Sequence, residues 1–137
     1  MENKEIIKKV IDYIEDNLDR PLDLDKIAKE AGYSKFHLNR VFSDCVGCTI
    51  YKYVQMRRLT VAAEKLVNTQ KPIMEIAYEA NYSSQQAFTY AFRQLYGYPP
   101  QTYRTIKVHI SKFNKFELKS KLVMLYRPVM KREGIAA

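Results

Sequence analysis

Two copies of one pattern, about fifty residues apart, limit the folds open to this chain more than its length does. The first copy contains GYSKFHLNRVF at residues 32–42, and the second contains NYSSQQAFTYAF at residues 81–92. In each copy Gly32 or Asn81, residue types that tolerate positive φ, separates a short apolar-periodic segment from a longer one. Because apolar residues recur at spacings of three and four, each copy is predicted to be a helix, a tight turn and a second helix.

The two copies can be placed in register along most of their length. Six residues recur at an offset of 49 positions: Ile27, Ala28, Glu30, Ala31, Tyr33 and Ser34 correspond to Ile76, Ala77, Glu79, Ala80, Tyr82 and Ser83. One additional serine then shifts the offset to 50, after which Phe42, Gly47 and Tyr53 return as Phe92, Gly97 and Tyr103. A position in one copy therefore predicts the environment of its counterpart in the other.

Seven helices and no convincing strand are predicted before residue 105. Their expected positions are residues 3–18, 24–31, about 35–46 after a Ser34 cap, 49–69, a helix with Pro72 at its first position, one capped by Ser83 or Ser84 and ended by Gly97, and one starting at Pro99-Pro100. The fold class is thus all-α: two helix-turn-helix subdomains joined by a long linker helix, with a C-terminal basic extension. The predicted boundaries are 1–48, 49–70, 71–106 and 107–137.

Charge is distributed unevenly along the chain. The formal net charge is +8, yet residues 1–30 carry nine acids against six Lys and Arg, so the remainder is strongly basic. Such a remainder suits a polyanion, either nucleic acid or an anionic membrane surface, although charge alone does not select one. No apolar run is long enough for a membrane helix, and the charged N-terminus lacks the features of a signal peptide. We expect a cytoplasmic, nucleoid-associated protein without a membrane partner.

Enzymatic and metal chemistry find no support in the residue pattern. Cys45 and Cys48 form a CxxC, but no second pair of ligands exists for zinc, which leaves structural thiols or a redox sensor as readings. No nucleophile, base and orienting group assemble, and no glycine-rich phosphate loop occurs. The chain is therefore predicted to have no catalytic residue, no cofactor and no metal site.

The second helix of each copy has an unusual outward face. The apolar stripe of these helices is predicted to be Leu38, Val41, Phe42 and Cys45 in one and Phe88, Ala91, Phe92 and Leu95 in the other. This leaves outside Lys35, Phe36, Asn39, Arg40 and Ser43, and Gln85, Gln86, Thr89, Tyr90 and Arg93. Neither outward set contains an acid. Amide and guanidinium groups can pair with adenine and guanine in the major groove, and an aromatic ring can meet a thymine methyl.

The linker length agrees with two such helices on one DNA. A helix over residues 49–69 spans about 31 Å at roughly 1.5 Å per residue, and successive major grooves on one side of B-DNA lie about 34 Å apart. One polypeptide could thus bind as a monomer, without dimerising. Since the outward residues differ between the copies, the expected site is asymmetric, and the small shortfall in span suggests that the DNA bends toward the protein.

Over roughly residues 5–104 the sequence resembles the DNA-binding domain of the AraC/XylS family of bacterial transcription regulators, and most of all its short MarA/SoxS/Rob-type members. GYSKFHLNRVF is similar to the family's first reading helix. The second copy carries the more specific signature, in Ile73, Ile76-Ala77, Tyr82, Ser84-Gln85-Gln86, Phe88, Phe92, Gly97, Pro99 and Tyr103-Arg104.

The resemblance implies a sequence-specific transcription regulator of double-stranded DNA, most readily an activator that contacts RNA polymerase. The base contacts that it implies are Phe36, Asn39 and Arg40 in the first reading helix and Gln85 and Gln86 in the second, with Tyr90 standing where relatives often have arginine. The candidates for contact with the DNA backbone are Ser34, Lys35, Ser84, Thr89 and Arg93.

Two questions stay open at this level. The basic extension, residues 107–137, could be a disordered tail, a segment that docks on a partner, or the start of a ligand-binding effector domain, and we slightly favour the last because it is rich in apolar residues. The alternative function is a basic helical module that binds an acidic protein partner. Specific binding in the presence of competitor DNA, with steep salt dependence, distinguishes the regulator from this module.

Overall fold

The computed structural model describes residues 2–106, which form seven α-helices and no strand. The helices are α1 (Glu2–Asp16), α2 (Leu24–Ala31), α3 (Lys35–Val46), α4 (Ile50–Asn68), α5 (Ile73–Glu79), α6 (Gln85–Tyr96) and α7 (Pro100–Ile106). The prediction of an all-α fold is confirmed. The predicted basic extension, residues 107–137, lies outside the described residues. Within residues 2–106, no helix has both the length and the apolar content that crossing a membrane requires.

Three helices have ends that differ from the predicted ones. Helix α1 stops at Asp16 instead of residue 18, because the Asn17 backbone N–H bonds to the carbonyl of Ile14 at 3.0 Å and tightens the last turn. Helix α4 is one residue shorter at each end than predicted. The placement of Pro72 at the first helical position is wrong: its ψ of 148° is extended, and its carbonyl accepts the N–H of Ile76, so it is the N-cap residue.

The described residues fall into two compact units, the first of which comprises residues 2–17 and 22–54. Helices α1, α2 and α3 pack together in it. Its buried residues include Ile7, Val10, Ile11, Ile14, Ile27, Ala28, Leu38, Val41, Phe42, Val46, Ile50 and Tyr53. The Phe42 and Tyr53 rings meet edge to face with centroids 5.6 Å apart, and the Tyr53 hydroxyl donates to Glu15 Oε2 at 3.0 Å. This core fixes the inner face of α3.

The second unit comprises residues 18–21 and 55–106 and packs α5 against α6 and α6 against α7. Its core consists of Leu59, Ala62, Ala63, Leu66, Ile76, Ala77, Ala80, Phe88, Phe92 and Tyr103. Phe92 and Tyr103, which lie 50 positions after Phe42 and Tyr53, also meet edge to face, with centroids 5.2 Å apart and an interplanar angle of 78° against 77° in the first unit. The repeat in sequence is therefore a repeat in packing.

The two turns are built alike. Gly32 and Asn81 both take the left-handed conformation, with φ of 77° and 68°. In each turn the next residue sends its N–H back to a carbonyl five residues earlier, from Tyr33 to Ala28 at 2.9 Å and from Tyr82 to Ala77 at 3.0 Å. Each turn thereby satisfies carbonyls at the end of its short helix and directs the chain into the next one.

Replacing Gly32 by alanine should lower the free energy of unfolding by about 1 kcal/mol, the usual cost of a Cβ in the left-handed region. A Cβ at this position would meet nothing within 4 Å, so the loss would come from backbone strain alone. Gly32→Asn should lose less, because Asn81 occupies the equivalent conformation in the second copy. Urea unfolding of both variants checks this expectation, and equal losses for alanine and asparagine would contradict it.

An arginine holds the loop that leads into each helix-turn-helix. Arg58 donates from Nε to the carbonyl of Leu18 at 2.8 Å and from Nη2 to that of Arg20 at 2.5 Å. Arg104 donates likewise to Leu66 at 2.9 Å and Thr69 at 3.4 Å. The carbonyls in the last turn of a helix, and those just after it, have no intrahelical donors, and a guanidinium supplies several in one plane.

Glu79 of α5 is held by two lysines. Its carboxylate oxygens lie 2.7 Å from Lys65 Nζ and 2.8 Å from Lys71 Nζ, so the side chain joins α5 to α4 and to the intervening loop. The hydrogen bonds from Lys65 and Lys71 hold the pKa of Glu79 below its ordinary value of 4.5. An ionised Glu79 is therefore favoured by folding.

Stability should depend on pH through Glu79. Since its pKa is lower in the folded chain than in the unfolded chain, its contribution is complete above about 4.5 and is lost as pH falls through the lower folded pKa. Glu79→Gln should cost about 1 kcal/mol at most at pH 7, because water screens a partly exposed ion pair, and almost nothing at the acid end of this range. Urea unfolding of the wild type and of Glu79→Gln at pH 7 and at the acid end of this range tests the expectation. A loss of the same size at both pH values would contradict this expectation.

Candidate nucleic-acid interface

Helices α3 and α6, which we call the recognition helices, have the same length and the same ends. Each has 12 residues and ends at a left-handed glycine, Gly47 or Gly97. Ser34 Oγ accepts the N–H of His37 at 3.1 Å, and Ser84 Oγ accepts the N–H of Ala87 at 3.0 Å. Because each cap serine uses its oxygen as the acceptor, its hydroxyl proton can still be donated outward. The predicted cap at Ser34 is confirmed, and of the two candidates Ser83 and Ser84 the cap is Ser84.

Most of the side chains predicted to contact bases are exposed on the outward faces of the recognition helices. Phe36 is 80% exposed and Tyr90 is 69% exposed, which is unusual for aromatic rings that nothing covers. Arg40, Gln85 and Gln86 are exposed as well. On the opposite faces Leu38, Phe42, Phe88 and Phe92 are fully buried. The apolar cores thus orient these five side chains away from the protein.

Asn39 differs from the other predicted base contacts. It is half-buried, and its Oδ1 accepts the backbone N–H of Ile50, the first residue of α4, at 3.1 Å. Bidentate pairing with adenine needs the oxygen of the amide as well as its nitrogen. The amide oxygen, one of the two groups that such pairing uses, is therefore already hydrogen-bonded within the protein.

Four of the five residues predicted to contact the DNA backbone are exposed: Ser34, Lys35, Ser84 and Arg93. The fifth, Thr89, is half-buried. They lie mostly where a helix begins, and the N–H groups of a first helical turn, together with the helix dipole, favour phosphate oxygens. Arg93 lies farther along α6 and adds a guanidinium that can bridge phosphate oxygens.

Two acids near the first recognition helix were missed by reasoning from helix faces. Asp25 of α2 places Oδ1 3.4 Å from Lys35 Nζ, although 47% of the lysine side chain stays exposed. Asp44 is exposed on the last turns of α3. Because carboxylates repel phosphates, Asp44 disfavours contact of DNA with the C-terminal end of α3, and Asp25 partly offsets the charge of Lys35 at its N-terminal end. The Asp25 contact crosses from one helix to another, and no signal within the α3 sequence reveals it.

Cys45 and Cys48 are separate thiols and do not form a disulfide. Cys45 is half-buried and Cys48 is buried; burial raises the pKa of Cys48 to about 11, while the charge of Lys52 lowers it by a smaller amount. A raised pKa disfavours the reactive thiolate, so the burial of Cys48 argues against a redox role for this thiol. Residues 2–106 also hold no group of three or more His, Cys, Asp or Glu placed to bind a metal.

A family model described as a helix-turn-helix domain matches residues 27–106. Two curated relatives come from Salmonella typhimurium strain LT2. The regulatory protein SoxS is 39% identical over 104 residues, which is 76% of this chain and 97% of SoxS. The transcriptional regulator Rob is 42% identical over 104 residues, which is 76% of this chain and 36% of Rob.

Solved structures agree with the family model. The crystal structure of an AraC-type transcriptional regulator from Chromobacterium violaceum superposes with a TM-score of 0.72 at 27% identity, covering 79% of this chain and 96% of that one. SoxS is named a regulatory protein and Rob a transcriptional regulator, the class of protein that the sequence predicted. The chain therefore belongs to the AraC/XylS family of helix-turn-helix, DNA-binding transcription regulators, and within that family to the MarA/SoxS/Rob type.

Proposed function

We propose that this regulator activates transcription as a monomer that inserts α3 and α6 into successive major grooves of an asymmetric DNA site. The observation that carries this proposal is the pair of equally built recognition helices, capped by Ser34 and Ser84, whose outward residues differ. A dimer of identical helices reads a palindrome. Two unlike helices in one chain read two unlike half-sites.

The length of α4 supports the spacing that this mode requires. Its 19 residues correspond to about 28 Å at roughly 1.5 Å per residue, somewhat less than the 34 Å or so between successive grooves. The difference fits DNA that bends toward the protein. A gel circular-permutation assay in which the bound fragment migrates as unbent DNA would contradict the bend.

The base contacts are assigned to the exposed residues of the recognition helices. Phe36 and Arg40 read the first half-site, the ring against a thymine methyl and the guanidinium against guanine; Gln85 and Gln86 read adenines in the second, and Tyr90 adds an apolar contact there. The phosphates are held by Ser34, Lys35, Ser84, Thr89 and Arg93. Asn39, the remaining predicted reader, has its amide oxygen bonded to α4.

Selection of bound sites from a random DNA pool, followed by affinity measurements at fixed salt, tests the proposal. The selected motif should have two unlike halves about one helical turn apart. Arg40→Ala should then weaken preference at one base pair of the first half by about 1–3 kcal/mol and leave the second half unchanged. Arg20→Ala removes an exposed arginine outside the recognition helices and serves as the matched control. Equal weakening on all sequences would reassign Arg40 to phosphate contact.

The same measurements separate this function from binding to an acidic protein. A regulator keeps its specific complex in excess competitor DNA, and its affinity falls steeply as salt rises, because phosphate contacts release counterions. An acidic protein partner that displaced the selected DNA at equal concentration would support the other reading. The similarity to a regulatory protein and a transcriptional regulator favours DNA over an acidic protein as the partner.

Further partners follow from an activator role. We propose that the protein works in the cytoplasm on nucleoid DNA and contacts RNA polymerase there. The working division of the chain is 1–48, 49–70 and 71–106, and residues 107–137 make up the basic extension. Limited proteolysis that trims residues 107–137 without changing specific affinity would show that they are dispensable for DNA binding.

A further inference from the structure

The start of α4 contains backbone donors that need partners. The first N–H groups of a helix have no intrahelical acceptor. Thr49 Oγ1 accepts the N–H of Lys52 at 3.2 Å, which is an ordinary local cap. The N–H of Ile50 is accepted instead by Asn39 Oδ1, which comes from α3, 11 residues earlier in the chain. A recognition helix thus supplies part of the cap of the helix that follows it.

The second copy shows what happens where this donor is missing. The counterpart of Ile50, 50 positions later, is Pro100, which has no backbone N–H. The counterpart of Asn39 is Thr89, whose side chain carries no amide. The first copy therefore has both the Ile50 N–H donor and the Asn39 amide acceptor, and the second copy has neither group at the equivalent positions.

We propose that Asn39 is a positioning residue, which locks α3 onto the N-terminus of α4 and does not read a base. This inference rests on the proposed function for its DNA readout. Two observations carry it: Asn39 is half-buried, and its oxygen is directed at the Ile50 N–H. In the first recognition helix the discrimination between bases then depends on Phe36 and Arg40, whose side chains are exposed. Asn39 sets the angle at which α3 presents them.

Substitutions at Asn39 distinguish this role from base reading. Asn39→Ala removes the acceptor, and we expect preference at every base pair of the first half-site to fall together, by at most about the twofold to thirtyfold that losing a cap corresponds to. The second half-site should keep its preferences. Asn39→Asp keeps an acceptor for the Ile50 N–H but loses the amide donor, so it should restore the relative preferences, although its charge weakens binding to all sequences.

Ile50→Pro provides the decisive background, because it removes the N–H as Pro100 does in the second copy. In urea unfolding, Asn39→Ala should lower the midpoint in the wild-type chain and have almost no effect in the Ile50→Pro chain. The loss of packing by the Ile50 side chain is common to both arms of this cycle and cancels. An equal effect of Asn39→Ala in both backgrounds would overturn the inference.

The DNA readout gives a second way to overturn it. If Asn39→Ala removes preference at a single base pair, keeps the others, and is not rescued by aspartate, Asn39 reads a base. Failure of the proposed function looks different, since the wild-type chain would then select no DNA motif at all. The unfolding cycle needs no DNA and would still report on the contact between Asn39 and Ile50.

Discussion

Phe92→Ala should cost about 3–5 kcal/mol of folding free energy, the range for truncating a fully buried phenylalanine. The Phe92 side chain is 0% exposed, and its ring centroid lies 4.7 Å from that of Tyr96, 5.2 Å from that of Tyr103 and 5.6 Å from that of Phe88. Removing the ring leaves a cavity among three aromatic neighbours, whose rings are fixed by one another and can collapse into it only in part.

Tyr90→Ala on the same helix is the matched control for this loss. It also truncates an aromatic residue, but Tyr90 is 69% exposed, so the free energy of unfolding should change by about 0.5 kcal/mol or less. Urea unfolding followed by circular dichroism measures both. If the two units unfold in separate transitions, Phe92→Ala should shift only the transition of the second unit. Similar losses for Phe92→Ala and Tyr90→Ala would contradict the described core.

The double variant Gln85→Ala, Gln86→Ala should lose about 2–6 kcal/mol of discrimination in the second half-site, if each amide makes one bidentate contact worth about 1–3 kcal/mol. Both glutamines are exposed in the first turn of α6, and alanine is at least as good a helix former. The variant should therefore fold like the wild type. Its loss of discrimination would come from the missing amides.

Measurement of this effect needs two DNA sequences, the selected site and the same site with its second half scrambled. The wild type should distinguish them strongly, and the double variant should bind both with nearly the affinity of the wild type for the scrambled site. Gln101→Ala, at an exposed position of α7, makes the same chemical change elsewhere and should keep full discrimination. Retained discrimination in the double variant would move base reading in α6 to other residues.

Local sequence rules predicted the fold well because the elements that matter here are local. The cap at Ser34 and the left-handed residues Gly32 and Asn81 depend on neighbours within five residues and were placed correctly, and the cap at Ser84 was one of two adjacent candidates. Pro72 was placed wrongly, since its fixed φ fits both the N-cap and the first helical position. The two positions differ in ψ, which no rule for proline determines.

The candidate site was less predictable wherever its chemistry crosses between elements. Helical periodicity correctly placed Phe36, Arg40, Gln85, Gln86 and Tyr90 on exposed faces. The same periodicity could not show that the amide of Asn39 is occupied by a backbone donor 11 residues away, or that Asp25 approaches Lys35 from another helix. Such contacts depend on how helices pack, and the spacing of residues within one helix carries no information on it.

The hydrogen bonds from Arg58 and Arg104 to backbone carbonyls limit how a helix-turn-helix can be transferred to another protein. Arg104 follows the second helix-turn-helix in the chain, yet it binds the carbonyls of Leu66 and Thr69, which precede it. A chimera that contains only residues 71–97 would have the recognition helix without the hydrogen bonds of Arg104. The smallest segment of the second half that keeps these bonds within its own helices therefore runs from α4 to the end of α7.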